Sequence, residues 1–126
     1  WVDADDLKAE LDSYNIPGVA WRTIHYKPFF GSSQGKLLHG VQYFFTDYEI
    51  APLTLINFYV MQAIHKLYPD HNPYEGGKNR TTDIVCGTDS IRLKFGENFL
   101  VSDMIDYWNK DVEHFRELSK KYYLYE

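Results

Sequence analysis

The sequence predicts an α+β fold, a small antiparallel sheet with helices packed on one face, in a single domain. Three observations carry this. The segments Val19–Tyr26 and Gly40–Thr46 alternate with the period of two expected of half-buried strands. The stretch Pro52–Tyr68 instead carries its apolar residues at helical spacing. Breaker chemistry at Asn15-Ile16-Pro17-Gly18, Pro28 and Pro69 separates these segments, and no internal repeat is visible.

In chain order, the first element is a short helix. Asp3 supplies an N-cap, Asp5 and Asp6 suit the positive end of the helix dipole, and Leu7, Leu11 and Tyr14 share one face. In the first strand Val19, Trp21, Thr23 and His25 point one way, and Ala20, Arg22, Ile24 and Tyr26 the other. Pro28 stops the ladder because it has no N–H to donate. Residues Lys27 to Leu38 then form a loop, and the second strand divides Val41, Tyr43 and Phe45 from Gln42, Phe44 and Thr46.

Proline suits a first helical turn, so a helix is expected from Pro52. Its stripe is Leu53, Ile56, Val60, Ile64 and Leu67, widened by Leu55, Tyr59 and Ala63, which makes it the main core element. Asp70 to Arg80 reads as a loop with Gly76-Gly77, and Asp83–Cys86 as a weak strand or irregular piece. Thr88 caps a short helix holding Ile91, Leu93 and Phe95, which Gly96 ends. Ser102 caps a last helix over Asp103–Lys120, and Tyr122-Tyr123-Leu124-Tyr125 has strand composition.

Bulk properties narrow the function. The 126 residues are the length of one domain that can bury a core, and 44% hydrophobic with 25% charged residues is a globular composition. A net charge of -5 argues against a nucleic-acid partner, since phosphate binding needs a concentrated basic surface. No apolar run approaches the roughly 18 residues of a membrane span. Aromatic residues reach 17%, which fits either an aromatic core or a groove whose rings stack on sugars. The single cysteine, Cys86, excludes an internal disulfide and reads as a small buried hydrophobe after Ile84 and Val85. A chain starting at Trp1 and showing no signal peptide is expected to be a piece of a larger protein, with any targeting segment upstream.

No metal site or cofactor is expected: His25, His39, His65, His71 and His114 are scattered, and phosphate-loop, dinucleotide and Gly-x-Ser-x-Gly signatures are absent. Glycoside hydrolysis requires facing carboxyls, and Asp47 is the best single candidate. It can also cap the turn toward Pro52 or pair with Arg22. Arg22 lies mid-strand among aromatics, where its planar fork suits a carboxylate of a partner side chain or of a ligand, such as the lactyl group of a muramic acid. His39 and Gln42 offer adaptable hydrogen bonds beside the loop.

The ordered set Gly18, Val19, Trp21, Arg22, Tyr26, Pro28, Phe30, Gly35, Gly40, Val41, Gln42, Thr46 and Asp47 resembles, without a gap, the C-terminal domain of the NamZ-type exo-β-N-acetylmuramidases. Cys86-Gly87-Thr88-Asp89, Tyr107-Trp108 and the Tyr122–Tyr125 tail resemble a Bacteroides-type branch of that family. The chain departs from the family pattern at Thr23, Leu38, His39 and Phe44. The resemblance implies the auxiliary domain of a peptidoglycan-degrading glycosidase that releases N-acetylmuramic acid from non-reducing ends in cell-wall recycling. It also implies an N-terminal Rossmann-like partner domain carrying the catalytic glutamate, a periplasmic or secreted location, and an interdomain cleft for a muropeptide or amino-sugar ligand. Arg22, Tyr26, His39, Gln42 and Asp47 are then the expected substrate-binding residues, none of them catalytic, and the 126 residues alone should be inactive. A non-catalytic carbohydrate-binding or docking module is the rival reading.

Overall fold

The structure is a computed structural model that describes residues 1–74 and 78–125, with Lys78 described only in its backbone. It divides into two compact units, residues 1–75 and 76–126.

The first unit holds the sheet. Helix α1 spans Ala4–Ser13, and Asp3 caps it by accepting hydrogen bonds from the Asp5 and Asp6 N–H groups. Strands β1 (Val19–Tyr26) and β2 (Leu38–Phe45) pair antiparallel, with Val19 opposite Phe45, Trp21 opposite Tyr43 and Arg22 opposite Gln42. A 3-10 turn, Leu53–Leu55, leads into α2, Ile56–Leu67. The core joins Leu7 and Leu11 of α1, Ile16, Trp21 of β1, and Ile56 and Ala63 of α2, with Val19, Val41 and Phe45 packed against it. Thus α1 lies on one face of the hairpin with α2 packed against α1 in the same core, and the alternation of the strands leaves Ala20, Arg22 and Phe44 exposed on the other. Lys66 on α2 bonds Glu10 on α1 at 2.7 Å, holding that carboxyl below its usual range.

The second unit is helical in its described residues: α3 (Lys78–Cys86), α4 (Ser90–Asn98), a 3-10 turn (Val101–Met104), α5 (Ile105–Asn109) and α6 (Val112–Lys120). Arg92 ties α4 to α3 through a two-pronged bond to Asp83, at 2.7 and 2.9 Å. Phe95, Val101 and Met104 are fully buried, and the Phe99 ring meets Phe95 edge-on.

The α+β class and the antiparallel sheet match the sequence expectation, as do the cap at Asp3 and the two strand faces. Several boundaries differ. Asp83–Cys86 is the end of helix α3, and Ile84 and Val85, which read as strand residues, are exposed on it. Helix α4 passes through Gly96 and ends where Phe99 takes the left-handed conformation, φ 54°. The expected Asp103–Lys120 helix is three pieces, interrupted at Lys110-Asp111, and Ser102 lies inside the 3-10 turn instead of capping a helix. Thr88 does accept a hydrogen bond from the Ser90 N–H, at 3.1 Å. Among the described residues Tyr122–Tyr125 pairs with no strand; the Tyr122 and Tyr123 N–H groups turn back onto Ser119 and Lys120 carbonyls. Leu53 is exposed on its 3-10 turn, outside the α2 core stripe. The expected Gly76-Gly77 turn lies outside the described residues.

Candidate functional site: the open face of the hairpin

The hairpin is anchored at its base by a close approach. Gly18, at φ +69°, accepts hydrogen bonds at its carbonyl from the Thr46 and Asp47 N–H groups. Asp47 then caps the following turn: its Oδ1 accepts the Glu49 N–H at 3.0 Å, and its backbone carbonyl accepts the Ala51 N–H. Of the structural roles open to Asp47 in the sequence, the geometry shows the cap and not the pairing with Arg22, which bonds elsewhere.

That partner is Gln42. Cross-strand register sets the two opposite each other, and Gln42 Oε1 accepts from Arg22 Nε at 2.9 Å and from Nη2 at 2.6 Å. The guanidinium also lies over the Phe44 ring, 5.0 Å from its centroid. Gln42 therefore occupies one edge of the guanidinium, and the outer Nη1–Nη2 edge has no partner among the described residues. That edge is the fork that grips a carboxylate with two parallel hydrogen bonds. Tyr26 projects from the same face four residues along β1, about 13 Å away at the usual strand rise, with its side chain half exposed.

His39 lies on the opposite face. It opposes His25 in register, and the two Nδ1 atoms approach to 2.8 Å, so one ring donates and the other accepts. Asp3 is close enough for both rings to help hold its carboxyl low, after the larger contribution of the Asp6 and Asp5 N–H groups. The structure thus brings Arg22, Gln42 and Tyr26 onto one face and gives His39 and Asp47 other partners. Sequence reasoning missed two features here. Phe44 acts as a shelf under Arg22, which same-face placement next to the Gln42 position could have suggested. The His25–His39 pair depended on a register that the alternation alone does not define.

The loop between the strands is organised by its own backbone: Gly35 N–H bonds to Pro28 O at 3.0 Å, and Gln34 and Lys36 N–H bond to Gly31 and Ser33 carbonyls. It holds Phe29 and Phe30 87% and 81% exposed. A separate depression of about 410 Å³, lined by Leu11, Asp12, Asn15, Ile16 and residues 19–21, includes none of the five expected site residues. Among the described residues no group of three or more His, Cys, Asp and Glu side chains could hold a metal ion, and no helix is long and apolar enough to cross a membrane.

The fold and this face define a small α+β module with a prepositioned guanidinium on an open hairpin. The chain belongs to the family described as exo-β-N-acetylmuramidase NamZ, C-terminal, whose model matches residues 1–125. It is 30% identical over 125 residues to the peptidoglycan β-N-acetylmuramidase NamZ of Bacillus subtilis, covering 99% of this chain and 30% of that protein. It is also similar to the crystal structure of a DUF1343 family protein from Bacteroides fragilis, with a TM-score of 0.94 and 40% identity over 100% of this chain and 34% of that one. The chain therefore spans about a third of the length of the relatives it matches.

Proposed function

We propose that this chain is the auxiliary part of a peptidoglycan-degrading exo-β-N-acetylmuramidase, acting at the cell wall, and that its open hairpin face forms one wall of the substrate cleft. Family membership supports the glycosidase setting, because the Bacillus relative is named for that activity. The observation that carries the site is Arg22, held by Gln42 and Phe44 with its carboxylate-gripping edge free of partners among the described residues.

N-acetylmuramic acid differs from N-acetylglucosamine by a lactyl ether that ends in a carboxylate. A guanidinium fork fixed in place reads that difference with two charge-assisted hydrogen bonds. Prepositioning matters because an arginine already held by its neighbours loses less side-chain freedom when it binds. In this reading Arg22 grips the lactyl carboxylate, Gln42 and Phe44 aim it, and Tyr26 contacts the sugar farther along the strand.

The same reading assigns the bond-breaking carboxylates to the remainder of the parent protein, in an N-terminal partner domain. Glycoside hydrolysis uses a pair of carboxyl groups across the scissile bond. Asp3 and Asp47, the acids at the two ends of the hairpin, are both committed to capping backbone N–H groups. The test is sugar release by the full-length protein from a chromogenic β-N-acetylmuramide and from muropeptides. Release of N-acetylmuramic acid is the expected result, and no release from either substrate overturns the reading.

A further inference from the structure

Glycine in a strand interior needs a reason, since it adds chain entropy to the unfolded state and packs no side chain. Gly18, Gly31, Gly35 and Gly87 have theirs in positive φ, from +69° to +89°. Gly18 has a second, because an added Cβ would lie 2.3 Å from the Asp47 carbonyl oxygen. Gly40 has neither. It sits inside β2 opposite Ile24, without positive φ, and a Cβ there would meet nothing within 4 Å.

The surroundings of that bare backbone are specific. Gly40 lies on the open face of the hairpin, two residues from Gln42 on its own strand. Across the ladder Ile24 stands between Arg22 and Tyr26. The Gly40 position is therefore bare backbone beside Ile24, diagonal to the prepositioned guanidinium on one side and to the exposed Tyr26 ring on the other, with no described atom within 4 Å of where a Cβ would stand. A strand glycine often marks a bulge, a bend or a close approach of another group, and β2 pairs in unbroken register through Gly40, which leaves the close approach.

Resting on the muramidase reading above, we propose that Gly40 is the floor of an amino-sugar subsite. The pyranose ring lies over the Gly40 backbone, its lactyl carboxylate reaches Arg22, and Tyr26 closes the far side. The absent side chain is the specificity device: any Cβ substituent would lift the ring away from the strand and pull the carboxylate off the guanidinium.

This gives an unusual signature, with stability and function moving apart. Gly40→Ala and Gly40→Val in the full-length protein should melt at the wild-type temperature or a few degrees higher, because both residues suit a strand better than glycine. The KM for a chromogenic β-N-acetylmuramide should rise at least about tenfold in Gly40→Val, and less in Gly40→Ala, as expected for one to three methyl-sized intrusions into a filled site. Unchanged KM in Gly40→Val, with wild type active, overturns the subsite and leaves the muramidase reading intact. A lower melting temperature in both variants also overturns it, because polypeptide from the parent protein would then be what covers Gly40. Wild type that releases no sugar removes the muramidase reading and the subsite together.

Discussion

Gln42 Oε1 receives two hydrogen bonds from one guanidinium, Arg22 Nε at 2.9 Å and Nη2 at 2.6 Å, across a register that places the two residues opposite each other. An exposed arginine on a strand ordinarily samples many rotamers. Here the amide oxygen takes one edge and the Phe44 ring takes one face, so the remaining edge points in a defined direction.

If Gln42 acts through Arg22, their substitutions will not add. In the full-length protein Gln42→Ala should raise KM for the chromogenic β-N-acetylmuramide, Arg22→Ala should raise it more, and the double variant should match Arg22→Ala alone. Folding stability should change by less than about 1 kcal/mol in either single variant, the range for a solvent-exposed contact to a charged side chain. Full additivity in KM would show that Gln42 contacts the ligand independently.

The base of the hairpin depends on Gly18. Gly18→Ala combines left-handed backbone, φ +69°, with a Cβ placed 2.3 Å from the Asp47 carbonyl oxygen. The expected loss exceeds about 2 kcal/mol, more than the left-handed conformation alone costs. Gly31→Ala, also at positive φ but with nothing within 4 Å of the added atom, should cost only about 1 kcal/mol. Denaturant midpoints of the two variants check the contrast; equal losses would show that the approach to Asp47 is not what fixes the turn.

Tyr14 predicts an alkaline limit to stability. Burial, then the Glu10 carboxylate beside it, push its phenol up to about 12. The folded state therefore keeps the proton where the unfolded chain gives it up, so the contribution is whole below about pH 10 and is lost as pH rises toward 12. At the acid end the signs reverse. The carboxyls of Asp3, Glu10 and Asp83 are held low by the Asp6 and Asp5 N–H groups, by Lys66 and by Arg92 respectively. Their contribution is present above the ordinary carboxylate range and fades as pH falls below it toward their lowered values. Thermal melts of wild type and Tyr14→Phe between pH 9 and 12 should converge on a flatter profile in the variant; parallel profiles would contradict the assignment.

What was readable in the sequence was local. Asp3 capped α1 because capping chemistry needs only the next three residues, and period-two alternation correctly put Trp21 and Arg22 on opposite faces, of which the structure covers Trp21's. What failed depended on context. Ile84-Val85 has strand propensity but stays exposed on α3, where backbone bonding and the Asp83–Arg92 bridge outweigh propensity. The break at Lys110-Asp111 carries no proline or glycine to announce it. In the site, alternation assigned faces but not register, because register depends on how the loop from residue 27 to 37 closes. Starting the second strand at Gly40 hid that it begins at Leu38, which is what sets His39 against His25.

The central claim is that Arg22 reads the lactyl carboxylate. Its most direct test compares full-length wild type with Arg22→Ala on two chromogenic substrates, a β-N-acetylmuramide and the β-N-acetylglucosaminide that lacks the lactyl group. Losing hydrogen bonds to a charged group should raise KM for the muramide by about 10- to 150-fold and leave the glucosaminide unaffected, collapsing the preference between them. A preference that survives Arg22→Ala unchanged would contradict the account.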